Sequence, residues 1–183
     1  MKISPRKLII LGIFVAAVIV SKYLSAPSEA PMPDETPMHD AMTVTNDQEF
    51  LEMMVPHHQE AIDTAKQVLA RGQSPELKTL AENIIAAQTA EISQMQTWHQ
   101  NWFASPLAPD KNYMPMMRPL EALNGAELDK QFIEDMIKHH EGAIQMAEQL
   151  QTFTEKPELK DLAKNIIIAQ TTEIQEMKSL LGQ

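Results

Sequence analysis

The sequence predicts an all-α fold, a four-helix bundle made of two repeated helical hairpins. Three observations predict it. Ala, Leu, Ile, Gln, Glu and Met dominate, while aromatics make up 5% of the 183 residues and glycine numbers five, a balance that favours helix over sheet. Apolar residues recur at helical spacing through long stretches broken by turn residues. The first such hairpin is also written twice: at a constant offset of 82 and without a gap, residues 50–95 match 132–177 at 24 of 46 positions.

Lys2, Arg6 and Lys7 precede an apolar run, Leu8 to Val20, whose length suits the core of a signal peptide better than a membrane span. Ser28 to Ala30 supply small residues for cleavage, and Pro31 disfavours it, so residues 1–30 are expected to be a signal peptide or an N-terminal membrane anchor. Both place the rest in the periplasm or otherwise outside the cytoplasm. Losing that segment removes four basic groups and one acid and leaves 11 Lys+Arg against 24 Asp+Glu. So acidic a surface argues against nucleic acid and favours cations. Residues 31–45, with prolines and methionines and no periodicity, read as a flexible tether.

Asn46 to Glu49, "NDQE", predicts a capping box opening the first helix. Its stripe is Phe50, Met54, His58, Ala61, Ile62, Ala65, Val68 and Leu69, and Gly72 ends it. Ser74 as N-cap and Pro75 at the first helical position restart the chain. The second stripe, Leu77 through Ile84, Gln88, Glu91 and Ile92 to Met95, carries the first hairpin (46–103) to about Phe103. Residues 104–124 hold four prolines and form the long connection. It is long enough to cross the whole bundle, as in ferritin-like folds, or to return at the same end. The second hairpin occupies 125–183, with Lys156 where Ser74 stood, so its last helix lacks that cap.

Helix geometry places the polar residues. In a hairpin turning near residues 74–75, antiparallel neighbours at one height have numbers totalling about 149, at roughly 1.5 Å per residue. His58 with Glu91, and Met54 with Met95, meet that condition. His140 with Glu173, and Met136 with Met177, meet the corresponding one around residues 156–157. All lie on the apolar stripes and are expected to face inward. The adjacent His57 and His139 are offset by about 100° and are expected to flank the stripe nearer solvent, His57 beside Met53 and His139 beside Asp135. Glu91, Met95 and His99 share one helix face, and Leu181 replaces the histidine in the repeat.

There are thirteen methionines and no cysteine. Stripe methionines fill gaps in cores, and each inward histidine has a glutamate to satisfy it. "MHDAM" (Met38, His39, Met42) and "MPMM" (Met114, Met116, Met117) lie in segments read as disordered, where gap filling explains nothing. Thioethers select monovalent copper and imidazoles accept either copper oxidation state, whereas zinc gives methionine no role. The residues favour a periplasmic copper-binding protein, acting as chaperone, buffer or resistance factor. It would take Cu(I), with Cu(II) held at surface His57, His139 or His39.

"MVPHHQEAI", "MIKHHEGAI" and the later "IIAAQTAEISQM" and "IIIAQTTEIQEM" together resemble the domain-of-unknown-function 305 family, over roughly residues 46–181. That resemblance implies a ferritin-like helical fold and a kinship with exported copper-binding proteins of the CopM type. Carried over by position, its residues are Met54, His57, His58, Glu91 and Met95, and Met136, His139, His140, Glu173 and Met177. The expected partners are copper ions and a copper efflux or sensor protein.

Two other readings compete. A ferritin-like oxidase needs E-x-x-H pairs and more inward carboxylates, and no E-x-x-H occurs in the chain; the protein is expected not to be an enzyme. A structural or partner-binding helical module would use the His–Glu pairs only to fix register.

Overall fold

The structure is a computed structural model that describes residues 42–107 and 113–182. The expected leader, Met38, His39 and most of the expected tether lie outside the described residues. Four helices follow one another: α1 (Asp47–Arg71), α2 (Pro75–Phe103), α3 (Gly125–Phe153) and α4 (Pro157–Leu181). No strand occurs among the described residues, and no described helix is long and apolar enough to cross a membrane.

The helix ends form where the sequence signals them. Asn46 Oδ1 accepts from Glu49 N at 2.9 Å, and Ser74 Oγ accepts from Leu77 N at 3.1 Å. Each satisfies one of the backbone donors that a helix start leaves unpaired. The capping box is modified: the Glu49 carboxylate reaches back to Thr45 N and Oγ1 rather than to the cap residue. At α4, Lys156 makes no side-chain cap. Gly72 closes α1 because nothing larger fits, as a Cβ there would stand 2.5 Å from Asp129 Oδ1 and 2.6 Å from the Val68 carbonyl.

Asp129 also fixes the topology. Its Oδ2 accepts from Gln73 N at 2.9 Å and Ser74 N at 2.8 Å, which sets the start of α3 against the α1–α2 turn. At the other end Val44 N donates to Gln149 Oε1 at 2.9 Å. α3 therefore runs antiparallel to α1, and residues 104–124 cross the full length of the bundle. α1 packs on α2, α3 on α4 and α1 on α3, while α2 and α4 touch sparingly.

The core is divided. One apolar cluster gathers Phe50, Leu51, Met54 and Met95 with Met146, Leu150, Leu159 and Ile166 at the α1 N-terminal end. The other gathers Leu77, Leu80 and Ile84 with Leu128, Phe132, Met136 and Met177 at the opposite end. Between them lies a buried polar layer of His57, His58, His139, His140, Gln88 and Gln170.

Two expectations about the linking segments are corrected here. Residues 42–45 are not a free tether, because Met42 and Val44 are buried in the first cluster. The second half of the long connection is not disordered either. Met117 and Leu120 sink into the second cluster, and Arg118 Nε donates to both Asp135 carboxylate oxygens, at 2.9 and 3.0 Å. For Met42 and Met117, gap filling is therefore a sufficient account. Among the connection's methionines Met114 alone stands well out, 73% exposed.

Candidate metal centre

The central layer is built by the repeat. His58 Nε2 lies 2.7 Å from Glu91 Oε2, and His140 Nε2 lies 2.7 Å from Glu173 Oε2. The two pairings fall at the heights expected from helix geometry. Both rings are fully buried, while the carboxylates keep partial exposure at 20% and 16%. The Nδ1 atoms of His58 and His140 are buried without a partner. A ring held by a carboxylate at one nitrogen and free at the other is oriented as metal-binding histidines commonly are.

His57 and His139 were expected near solvent, and the structure overturns that: both are fully buried. A single-stripe helix would leave them at its flank. α1 packs on α2 and on α3 at once, so its buried arc is wide enough to take in residues 51, 55 and 57. The two rings meet across the α1–α3 seam with centroids 3.6 Å apart and planes 35° apart. Burial is the largest influence on each, with neighbouring imidazoles adding to it. His57 is held well below its ordinary pKa, and His139 falls to about 4 despite the opposing pull of Glu60. Both are therefore neutral at pH 7, the form that can donate a lone pair to a metal. Surface capture of Cu(II) by these two residues is excluded by their burial.

Sequence reasoning missed Glu60. Its Oε2 accepts from Tyr113 Oη and from Met116 N at 3.2 Å, and its Oε1 accepts from Met117 N at 2.9 Å. His139 Nε2 stands 3.4 Å from Oε2, close enough to pair but not aligned as a hydrogen bond. Burial opposes the Glu60 charge, yet these partners outweigh it and hold the carboxyl below its ordinary value. Tyr113 is pushed up, first by burial and then by Glu60. One carboxylate thus ties the connection to the histidine layer. A signal existed in the sequence: Glu60 falls on Gly142 in the repeat, one of the positions where the two HH motifs differ.

The remaining candidates are scattered. Met54 and Met95 are buried in one cluster, Met136 and Met177 in the other, and Met53 packs at the edge of the first. His99 is buried and engaged at both nitrogens, Nδ1 with the Ser105 carbonyl at 3.0 Å and Nε2 with Glu52 at 3.3 Å. It does not continue a ligand line from Glu91 and Met95. Among the described residues, no three of His, Asp and Glu converge on one point as a preformed metal site.

The sequence profile of the family described as Domain of unknown function (DUF305) matches residues 47–181, all four helices. The chain belongs to the DUF305 family. Among solved DUF305-type structures, CopM in its Cu(I)-bound form is 43% identical, with a TM-score of 0.68 over 75% of this chain and 96% of that one. CopM has also been solved with Cu(II), with silver and in the apo form. A DUF305 fragment from Deinococcus radiodurans is 30% identical, with a TM-score of 0.63 over 76% of this chain and 99% of that one. A DUF305 protein of Streptomyces coelicolor is 28% identical, with a TM-score of 0.67 over 73% and 88%. Uncharacterized protein L153 of Acanthamoeba polyphaga mimivirus is 46% identical over 55 residues, and that match spans 36% of its length.

Proposed function

We propose that this DUF305 protein binds copper as cargo, Cu(I) above all, through imidazole and thioether side chains. In this reading it serves outside the cytoplasm as a chaperone, buffer or resistance factor and not as an enzyme. The observation that carries the reading is the central layer itself. It buries four imidazoles, and His57, His58 and His140 each keep at least one ring nitrogen without any partner. Burying unsatisfied polar atoms costs free energy. A soft cation that accepts their lone pairs repays that cost, and the kinship with CopM, solved with Cu(I) and silver bound, supports the same cargo here. Among the described residues the rings do not converge on one point, so loading would need side chains to turn or a seam to part. The acidic composition would attract the cation, and the leader-like N-terminus supports export.

Competition of Cu(I) between the protein and a chromogenic chelator tests the proposal. Affinity well above that of a helical protein lacking such residues is expected, with a large loss in the His57→Ala/His139→Ala variant. Equal affinity in wild type and variant would sink it. The 2.7 Å His58–Glu91 and His140–Glu173 pairs favour a narrower second reading, in which these two histidines brace the layer and only His57 and His139 meet metal.

A further inference from the structure

Half-buried aromatic side chains gather at one end of the bundle. Trp98, Trp102, Phe103 and Phe153 stand partly exposed where α2 and α3 finish and α1 begins, whereas the opposite end has only Phe132, fully buried. Trp98 and Trp102, one turn apart on α2, stack with ring centroids 5.4 Å apart and planes at 10°. Lys156, in the α3–α4 turn, holds its Nζ 4.5 Å from the Trp102 ring centroid. Phe103, Phe153 and Lys156 line one open cleft with Asn46, Asp47 and Gln48. The sequence marks the same surface. Residues 92–109 carry no Asp, Glu, Lys or Arg, the longest such stretch in the chain. At the offset of 82, the second repeat has Glu176, Lys178 and Leu180 where the first has Gln94, Gln96 and Trp98. Neither tryptophan is explained by the repeat, and the histidine layer uses neither.

We propose that this end of the bundle is a membrane-docking surface, with Trp98, Trp102, Phe103 and Phe153 seated among the headgroups of a zwitterionic bilayer and Lys156 beside them. Tryptophan joins a large apolar ring to one N–H donor, and such rings settle at the boundary between headgroups and acyl chains, where both parts are satisfied. A lysine there lays its stem along the rings and keeps its ammonium among headgroup phosphates. The uncharged stretch spares the contact the cost of desolvating ions. Glu155, 95% exposed beside Lys156, and a net charge of −10 oppose an anionic surface, which leaves a zwitterionic one. The path of the chain points to the same occupant. Met42 and Val44 lead into α1 at this end, and the apolar run Leu8 to Val20 lies upstream with 21 residues between Val20 and Met42. A leader held in a bilayer would bring this end to its surface first. The inference is independent of the copper reading.

Trp98 and Trp102 are the chain's two tryptophans, so its emission reports on this end alone. The full chain is floated with phosphatidylcholine vesicles and compared on vesicles whose acyl chains carry bromine, a contact quencher, near the headgroups. Emission should move to shorter wavelength on the vesicles and fall at least twofold with the brominated lipid. The variant Trp98→Phe/Trp102→Phe/Leu181→Trp moves the reporter to the opposite end, at a position 42% exposed, and should keep its emission. Vesicle-bound wild type whose emission ignores bromine would show a bundle held clear of the bilayer, and would overturn the proposal. Equal quenching in the two proteins would overturn it too, as would failure to float. A shift to shorter wavelength that grows with protein concentration in the absence of lipid would assign the surface to a second copy of the chain instead.

Discussion

His57 and His139 stack across the α1–α3 seam with ring centroids 3.6 Å apart, each the first histidine of its repeat's HH pair. No solvent reaches either ring. Two imidazolium ions at that distance would repel each other strongly with little screening, so the stack persists only while at least one ring stays neutral. The repeat thus places at its own symmetry point a pair of groups whose charge state the fold must control.

That control predicts an acid-sensitive fold. In the unfolded chain each histidine takes up its proton near pH ~6.5. In the folded chain His139 waits until about 4, and His57 is also held well below its ordinary value. Between those limits the unfolded state binds more protons, so stability falls as pH drops from about 7 toward 4. The slope approaches ~1.4 kcal/mol per pH unit for each ring. Glu60 has its pKa lowered instead, so its contribution survives this window and is lost only at lower pH. Urea midpoints of the metal-free protein at pH 7.5, 6 and 5 should fall in step. The His57→Gln/His139→Gln variant should show a flatter profile, and identical profiles would refute the account.

The His58–Glu91 and His140–Glu173 pairs predict a different outcome on truncation. His58→Ala removes a fully buried ring and leaves a carboxylate with 20% of its surface exposed. Partial exposure lets water repay part of the lost pairing, so the expected cost is about 2–3 kcal/mol rather than the ~3–5 of a wholly buried ion pair. Glu91→Gln keeps an acceptor for the ring and should cost about 1 kcal/mol or less. Denaturant unfolding of metal-free protein measures both. If these rings also bind Cu(I), copper at a hundredfold excess over its Kd should add about 2.7 kcal/mol to the wild type and distinctly less to His58→Ala/His140→Ala. An equal gain in both would mark the pairs as braces only.

Gly72 carries a prediction about the turn. Alanine there would bring Cβ within 2.5 Å of Asp129 Oδ1 and 2.6 Å of the Val68 carbonyl, and the carbonyl belongs to helix backbone that cannot step aside. Gly72→Ala should cost about 1–3 kcal/mol as an overpacked site and loosen the Asp129 bonds to Gln73 N and Ser74 N. A melting temperature equal to the wild type would show that the turn shifts freely.

What the sequence made legible follows from periodicity. Helix ends, the register of both hairpins and the His–Glu pairs all depend on spacing within one hairpin, where 1.5 Å per residue suffices. The burial of His57 and His139 was hidden because it depends on α1 meeting two neighbours, and one helix's pattern does not reveal how wide its buried arc will be. The path of residues 113–120 was hidden for another reason. The segment has no period, and its anchors are single side chains. Those anchors still left a trace: Glu60 against Gly142, inside the HH motifs, and Met53 against Asp135, just before them, are repeat mismatches, and Glu60 and Asp135 bind the connection while Gly142 makes room for Met116.

Glu60 therefore supplies the last prediction. It accepts from Tyr113 Oη, Met116 N and Met117 N and pairs with His139, while its side chain is only 12% exposed. Removing it leaves two backbone donors and a half-buried phenol without their acceptor. Glu60→Ala should cost about 2–4 kcal/mol and should lift the connection from the seam before the helices unfold. Chymotrypsin should then cut after Tyr113 at least tenfold faster than in the wild type, at a temperature where circular dichroism still reports the full helix content. Arg118→Ala is the contrasting case, since its guanidinium holds the connection from the Asp135 side without touching the histidine layer. It should raise cleavage and leave the pH profile of stability unchanged, whereas Glu60→Ala should alter both. If the two variants altered cleavage and pH profile alike, Glu60 would be one more anchor and not the joint between the connection and the imidazoles.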